Sequence, residues 1–214
     1  MNRELVLGLV VVFVVLLVRA YMGHGARVRQ RTRGKPEKRL VGFIGQPLRW
    51  IQTAAGVGDY ELHAGNDLVA TLRIHPTYGL KSFAGTGESA DGCWTFSSAS
   101  GGGDVTIRAC GTDYEVARFM YAEQNLSLGG MVELPGGRKI LLVTTTNLMS
   151  RPAIREFQNE SGETLVRFTS TPGWARRAAT VLIQPIAASM PELSWMLMLG
   201  WYVMMEHASE TYRS

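Results

Sequence analysis

Near the C-terminus, Leu193 to Met205 contains only one plainly polar residue, Ser194. The run is preceded by Ser189-Met-Pro-Glu192, whose S-x-x-E spacing is that of a capping box, so a helix is expected over 190–207. Proline is tolerated in that first turn because the N–H it lacks would have no partner there. A helix that is apolar all round has no face to offer water and must be enclosed by protein or by lipid. As a second transmembrane helix it would be short for a bilayer, with Glu192 and Glu206 as flanks and no Lys/Arg cluster beside it. Enclosure by protein is the reading taken forward.

The residues before this helix carry a period of two. Strands are expected at Leu48–Ile51, Tyr60–His63, Leu68–Ile74, Gly92–Ser98, Asp104–Ala109, Tyr114–Tyr121, Met131–Leu134, Lys139–Thr145, Ile154–Asn159, Thr164–Thr169 and Ala178–Gln184. Turn chemistry falls between them at Ala64-Gly-Asn-Asp67, Pro135-Gly-Gly137 and Glu160-Ser-Gly162. The 24 glycines suit so many turns. Short strands at this spacing make a sandwich or a barrel, and closing a barrel also removes exposed strand edges. Here the terminal helix is available to fill the centre.

The other end of the chain is addressed to a membrane. Leu5 to Val18 is uninterrupted apolar or glycine sequence, LVLGLVVVFVVLLV, and Ala20, Tyr21 and Met22 extend it past a snorkelling Arg19. A cleavable signal peptide is the alternative, since the apolar length also suits one. Against it, Arg3 is offset by Glu4 and no small-x-small cleavage site follows. Residues 19–39 hold eight Lys/Arg against Glu37, a net +7 that serves as a stop-transfer flank and places that side in the cytoplasm. A single-pass cell-membrane protein with its domain facing the cytoplasm is therefore expected.

The basic segment accounts for the pI near 9.3, because residues 40–214 carry a net −3. A nucleic-acid-binding domain needs basic residues clustered on its folded face, so that class is set aside. Two cysteines, Cys93 and Cys110, fall in strand-like runs. Two packed, reduced thiols are expected, with a disulfide between neighbouring strands as the alternative. His24, His63, His75 and His207 have no second ligand at metal-binding spacing, and no H-E-x-x-H, C-x-x-C, G-x-S-x-G or P-loop occurs. No catalytic residue, cofactor or metal is assigned, and a non-enzymatic protein is expected.

The order of several elements is informative. It runs from a hairpin ending in Ala70-Thr-Leu-Arg73, through Gly92-Cys-Trp-Thr-Phe96 and Thr106-Ile-Arg108, to F-x-x-E-x-G-E-x-L at Phe157–Leu165. A closing helix carries Pro191-Glu-Leu193 and Leu199-Gly-Trp-Tyr202. Over roughly residues 48–207 the chain resembles the tubby C-terminal-like superfamily, nearest to bacterial relatives of its LURP-one and phospholipid scramblase branch. The resemblance implies a β-barrel of about twelve strands threaded by a hydrophobic C-terminal helix. It also implies contact with membrane phospholipid, since the best understood members bind phosphoinositides through a cationic pocket. No such pocket maps residue by residue onto this chain, and the scramblase branch's acidic calcium-binding run is absent.

The expected organisation is thus an all-β barrel enclosing a hydrophobic helix, preceded by one transmembrane helix. The anchor takes residues 1–22, a basic linker 23–46, the barrel 47–209 and a tail 210–214. Contacts with anionic phospholipid are expected from Arg27, Arg29, Arg31, Arg33 and Lys35 in the linker. A second contact is expected from Trp174, Arg176 and Arg177, an aromatic beside two cations in a segment that reads as a loop. Packing of Trp174 on the barrel rim is the plainer account of that loop. The expected role is a lipid-proximal or protein-interaction module, with scramblase-like lipid movement as the alternative.

Overall fold

Alternation of inward apolar and outward polar residues produces twelve strands: β1 (Pro47–Gln52), β2 (Asp59–Ala64), β3 (Asp67–Pro76), β4 (Phe83–Ser89), β5 (Gly92–Ser98), β6 (Val105–Ala109), β7 (Glu115–Tyr121), β8 (Gly130–Glu133), β9 (Lys139–Thr144), β10 (Ile154–Gln158), β11 (Thr164–Thr171) and β12 (Ala178–Ile183). A 3₁₀ turn at Pro185–Ser189 leads into the helix α1 (Leu193–Glu210). The computed structural model describes residues 36–53, 58–76, 83–98, 103–122, 129–144, 153–171 and 178–210. The chain divides into two compact units, Met1–Gly34 and Lys35–Ser214, and all of these residues belong to the second. The expected anchor, and with it Arg27, Arg29, Arg31, Arg33 and Lys35, lies outside the described residues.

Each strand pairs antiparallel with its neighbours in sequence, and β1 closes the ring by pairing with both β12 and β2. The result is a closed up-and-down barrel with no free edge. Eight strands already leave room for interior side chains, so a ring of twelve needs more filling than its own strands supply. Helix α1 supplies it. Every side chain from Leu193 to Glu206 is buried, and Leu193, Leu197, Trp201 and Met204 are 3%, 0%, 1% and 6% exposed. Its partners come from around the ring. Trp201 stacks on Trp50 of β1 at 5.9 Å and meets Tyr60 of β2 edge-on at 5.5 Å. Tyr202 lies on Phe96 of β5 and against Phe83 of β4. Among the described residues no helix is long and apolar enough to cross a membrane.

Three sequence expectations change. The eleven expected strands miss β4, because its Phe83-Ala-Gly-Thr-Gly-Glu-Ser sequence looks like a loop. Its glycines instead face the helix. A Cβ on Gly87 would sit 2.3 Å from Met198 Sδ, and one on Gly85 would sit 3.0 Å from the Tyr202 ring. The capping box does not form as expected. Helix α1 starts at Leu193, with the Glu192 carbonyl accepting its first bond from Met196 N–H at 2.9 Å. The Glu192 carboxylate bonds Arg138 instead of reaching back to Ser189. The cysteines are bonded to each other rather than reduced. Pairing of Trp94 with Ala109 places Cys93 opposite Cys110 with their Cα atoms 5.3 Å apart, inside the span a disulfide needs.

Folded structure begins ahead of β1. A 3₁₀ turn at Leu40–Phe43 buries Leu40 and Phe43 in the core, and Gly45 N–H bonds the Ile183 carbonyl at 3.0 Å. Helix α1 is fixed at its start by Ser194, whose hydroxyl donates to Asp91 at 2.8 Å in the β4–β5 turn.

Gly200 marks the closest approach of helix to wall. A Cβ there would lie 2.5 Å from the Phe168 ring and 3.0 Å from the Phe157 ring, and these two rings are themselves packed edge-to-face with no exposure. Gly200→Ala gains roughly 1 kcal/mol of helix propensity. Overpacking between rings that have nowhere to move costs about 1–3 kcal/mol. Chemical unfolding of the full chain should show Gly200→Ala less stable than the parent; equal or greater stability would mean that the rings can yield.

Candidate functional site

The end of the barrel beside the C-terminal turns of α1 gathers the buried polar residues Ser98, Arg155 and Glu206. The up-and-down order brings the start of β4 and β8 and the end of β5, β7 and β9 to this mouth. Tyr202 donates to the Phe83 carbonyl at 2.6 Å. One helical turn on, Glu206 is 7% exposed and takes short hydrogen bonds from Ser98 of β5 and Tyr121 of β7, both at 2.5 Å. Each side chain is placed by period two. Ser98 is in step with inward Phe96, and Tyr121 with inward Phe119. Burial pushes the Tyr202 phenol well above its usual range, with the Glu206 carboxylate adding to the shift, so Tyr202 stays a donor. These bonds orient groups and lock the helix end, which is the chemistry the geometry provides.

Arg155 of β10 stands apart from that network. It is in step with Phe157, so it points inward, and it is 6% exposed. Its Nε is buried without a hydrogen-bond partner. Burial lowers its pKa from the usual arginine range to about 10, opposed by Tyr121. The guanidinium therefore remains charged at neutral pH. Its cross-strand partner is Thr144 of β9, whose Oγ1 is also buried without a partner. Glu156, the next residue, faces out and shows the contrast. Burial pushes its carboxyl up, but bonds from Arg167, Gln158 and Thr164 outweigh that and hold it below the usual range.

Beside Thr144 and Tyr121 opens a groove of about 440 Å³ over β7, β8 and β9. Its walls are largely apolar, including Met120, Met131, Leu141 and Val143. These four alternate with the inward residues of their strands, and Leu141 is one of the few exposed large hydrophobic residues. Gly130 at its centre leaves the room taken by Phe119, whose ring would lie 2.4 Å from a Cβ there.

The membrane-contact residues expected from the sequence, Arg27, Arg29, Arg31, Arg33, Lys35, Trp174, Arg176 and Arg177, all lie outside the described residues. Trp195 and Trp201 are core residues as expected, and Trp94 packs against the core. His63 pairs with Glu61 at 2.9 Å, while His75 is exposed. Among the described residues no three His, Cys, Asp or Glu group to hold a metal ion. The mouth residues were missed, although a signal existed. Arg155 two places before Phe157, and Glu206 closing an apolar helix, each put a charge where the pattern requires an inward side chain.

The isolated guanidinium has a consequence for stability. Its folded pKa is depressed, so above about pH 10 the unfolded chain binds the extra proton, and stability rises with pH from there up to the ordinary arginine range. Below about pH 10 the burial penalty is fully present, about 3 kcal/mol as an upper figure for a shift of this size. Arg155→Met keeps the bulk and removes the charge, and replacing a buried charge in this way is often neutral or stabilising. Thermal unfolding at pH 7 should show Arg155→Met more stable by about 1–3 kcal/mol, with the gain shrinking above about pH 10. A large loss of stability would show that Arg155 is paired after all.

The twelve-stranded antiparallel barrel with its C-terminal helix is consistent with a tubby-like fold. No protein-family model matches the chain, and neither does any curated protein or solved structure.

Proposed function

We propose that the chain is a membrane-tethered, non-enzymatic member of the tubby C-terminal-like superfamily, acting as a lipid-proximal binding module. The observation that carries this is the helix in the barrel. Its apolar length is accounted for by protein, which leaves Leu5–Val18 as the segment whose composition calls for lipid. The +7 flank after that segment favours a domain on the cytoplasmic face, where the same cations meet anionic headgroups at about 1 kcal/mol each. The domain contributes position and a binding surface, and the mouth beside Glu206 is its best-formed candidate.

A second reading of the side is favoured by one observation. The Cys93–Cys110 disulfide suits an oxidising compartment, since cytoplasmic thiols are normally kept reduced. One experiment separates the two. Protease added to intact cells should leave residues 40–214 untouched. Cleavage of the domain together with bonded cysteines would move it to the outer face and end the cytoplasmic reading.

The linker makes a separate prediction. Residues 19–214 should float with anionic vesicles at low salt, and residues 40–214 at least about tenfold less, because the seven net charges are removed with the linker. Most of the difference should vanish as salt shortens the screening length from ~10 Å towards ~3 Å. Equal flotation of the two, lost on changing Arg176 and Arg177 to alanine, would transfer the contact to the domain.

A further inference from the structure

We infer that Cys93 and Cys110 form a reversible dithiol–disulfide couple on the outer wall of the barrel, and that its oxidised form steadies the β4–β5 turn to which the start of α1 is pinned. This goes beyond the lipid-proximal reading and does not rest on it. Phe96 of β5 and Ile107 of β6 point inward, so Cys93 and, opposite it, Cys110 stand on the outside, and both are half-buried. A sulfur on the wall is open to a dithiol or a peroxide in a way that one sealed in the core is not. The bond also joins residues that the backbone already holds together. Strands β5 and β6 pair in register from Ser98 and Val105 to Trp94 and Ala109, and Cys110 N–H donates to the Cys93 carbonyl at 3.0 Å. That ladder keeps the two thiols opposed after reduction, within the span a disulfide needs. Re-forming the bond then needs no search by the chain.

The reaction is ordinary thiol chemistry. A protein dithiol attacks one sulfur, passes through a mixed disulfide and leaves as a disulfide itself, so two electrons and two protons reach Cys93 and Cys110. In the other direction a peroxide oxidises one thiol to the sulfenic acid and releases a water. The second thiol then displaces another water as the bond closes. On the cytoplasmic side such a pair rests as thiols and bonds when oxidant rises, which is the usual use of a disulfide there. Its position gives it something to act on. Two residues before Cys93, Asp91 accepts from the Ser194 hydroxyl at 2.8 Å and lies 3.6 Å from Arg39. Ser194 is 4% exposed and stands at the entry of an otherwise apolar helix. On one side of the hairpin β4 carries Gly85 and Gly87, and on the other the disulfide ties β5 to the end of β6. Oxidation stiffens the seat of Asp91, and reduction loosens it.

The test uses the purified full chain in phosphatidylcholine nanodiscs, with thiols counted by maleimide mass tagging. Dithiothreitol should reduce the bond while the domain stays folded, and hydrogen peroxide should restore it once the reductant is removed. Hydrogen exchange then reads the coupling. Peptides spanning Ser89–Cys93 and Leu193–Leu197 should exchange at least about tenfold faster after reduction, as local opening becomes easier. A peptide from β11, across the ring from β5, should change by less than about twofold. Ser194→Ala removes the pin, so its Leu193–Leu197 peptide should exchange fast in both states while Ser89–Cys93 still responds. The double variant Cys93→Ser, Cys110→Ser should behave as the reduced parent and ignore dithiothreitol. Three results would overturn the proposal and leave the bond a structural staple: reduction that requires or causes unfolding, failure of peroxide to close the bond again, or equal acceleration of every peptide. An unchanged Leu193–Leu197 peptide in the reduced parent would overturn the coupling to the helix. None of these readouts depends on the anchor or on lipid charge.

Discussion

A helix with no polar face and a ring too wide to fill itself solve each other's problem. Helix α1 cannot present any side to water, and twelve strands enclose more space than inward Val, Leu and Phe side chains close off. Neither part has an obvious stable existence without the other. This mutual need dictates details well away from it. Gly85 and Gly87 thin the wall where Tyr202 and Met198 press on it, and Gly200 thins the helix where Phe157 and Phe168 press back. The methionines on α1 suit this setting, since an unbranched thioether fills irregular gaps between a cylinder and a curved sheet.

An apolar plug has no directional reason to stop at one depth, and polar contacts at its two ends supply one. At the start, Ser194 bonds Asp91 and Glu192 bonds Arg138, both partners lying in turns of the barrel. At the far end, Tyr202 and Glu206 bond β4, β5 and β7. A slide of one turn would break both sets, and each buried donor or acceptor left alone costs about 1–3 kcal/mol. Satisfied networks of this kind specify one arrangement. Against that background Arg155 is conspicuous, because the same mouth pairs its carboxylate carefully and leaves the Arg155 Nε without a hydrogen-bond partner.

What the sequence made legible follows from which signals are local. Alternation is local, and eleven of twelve strands were readable from it to within a residue or two at most ends. Phe83–Ser89 was not, because its glycines answer to Met198 and Tyr202, more than a hundred positions away. The Ser189–Glu192 spacing is a local signal that a distant cation overrode, since Arg138 draws the Glu192 carboxylate off the helix start. Cysteine pairing depends on strand register, and a period of two does not carry register between strands. The mouth was the least legible part. Ser98, Tyr121, Arg155 and Glu206 come from four elements, and only closure of the ring brings them to one end.

The chain holds cations of two very different kinds. The cations Arg27, Arg29, Arg31, Arg33 and Lys35 are closely spaced in sequence, and attraction by such an array is collective and fades within a Debye length. Arg155 is a single desolvated charge whose reach is short and whose strength depends on geometry. Salt therefore acts on the two unequally. It weakens the hold of the linker on a charged surface while leaving a buried contact nearly untouched, because ions do not enter to screen it.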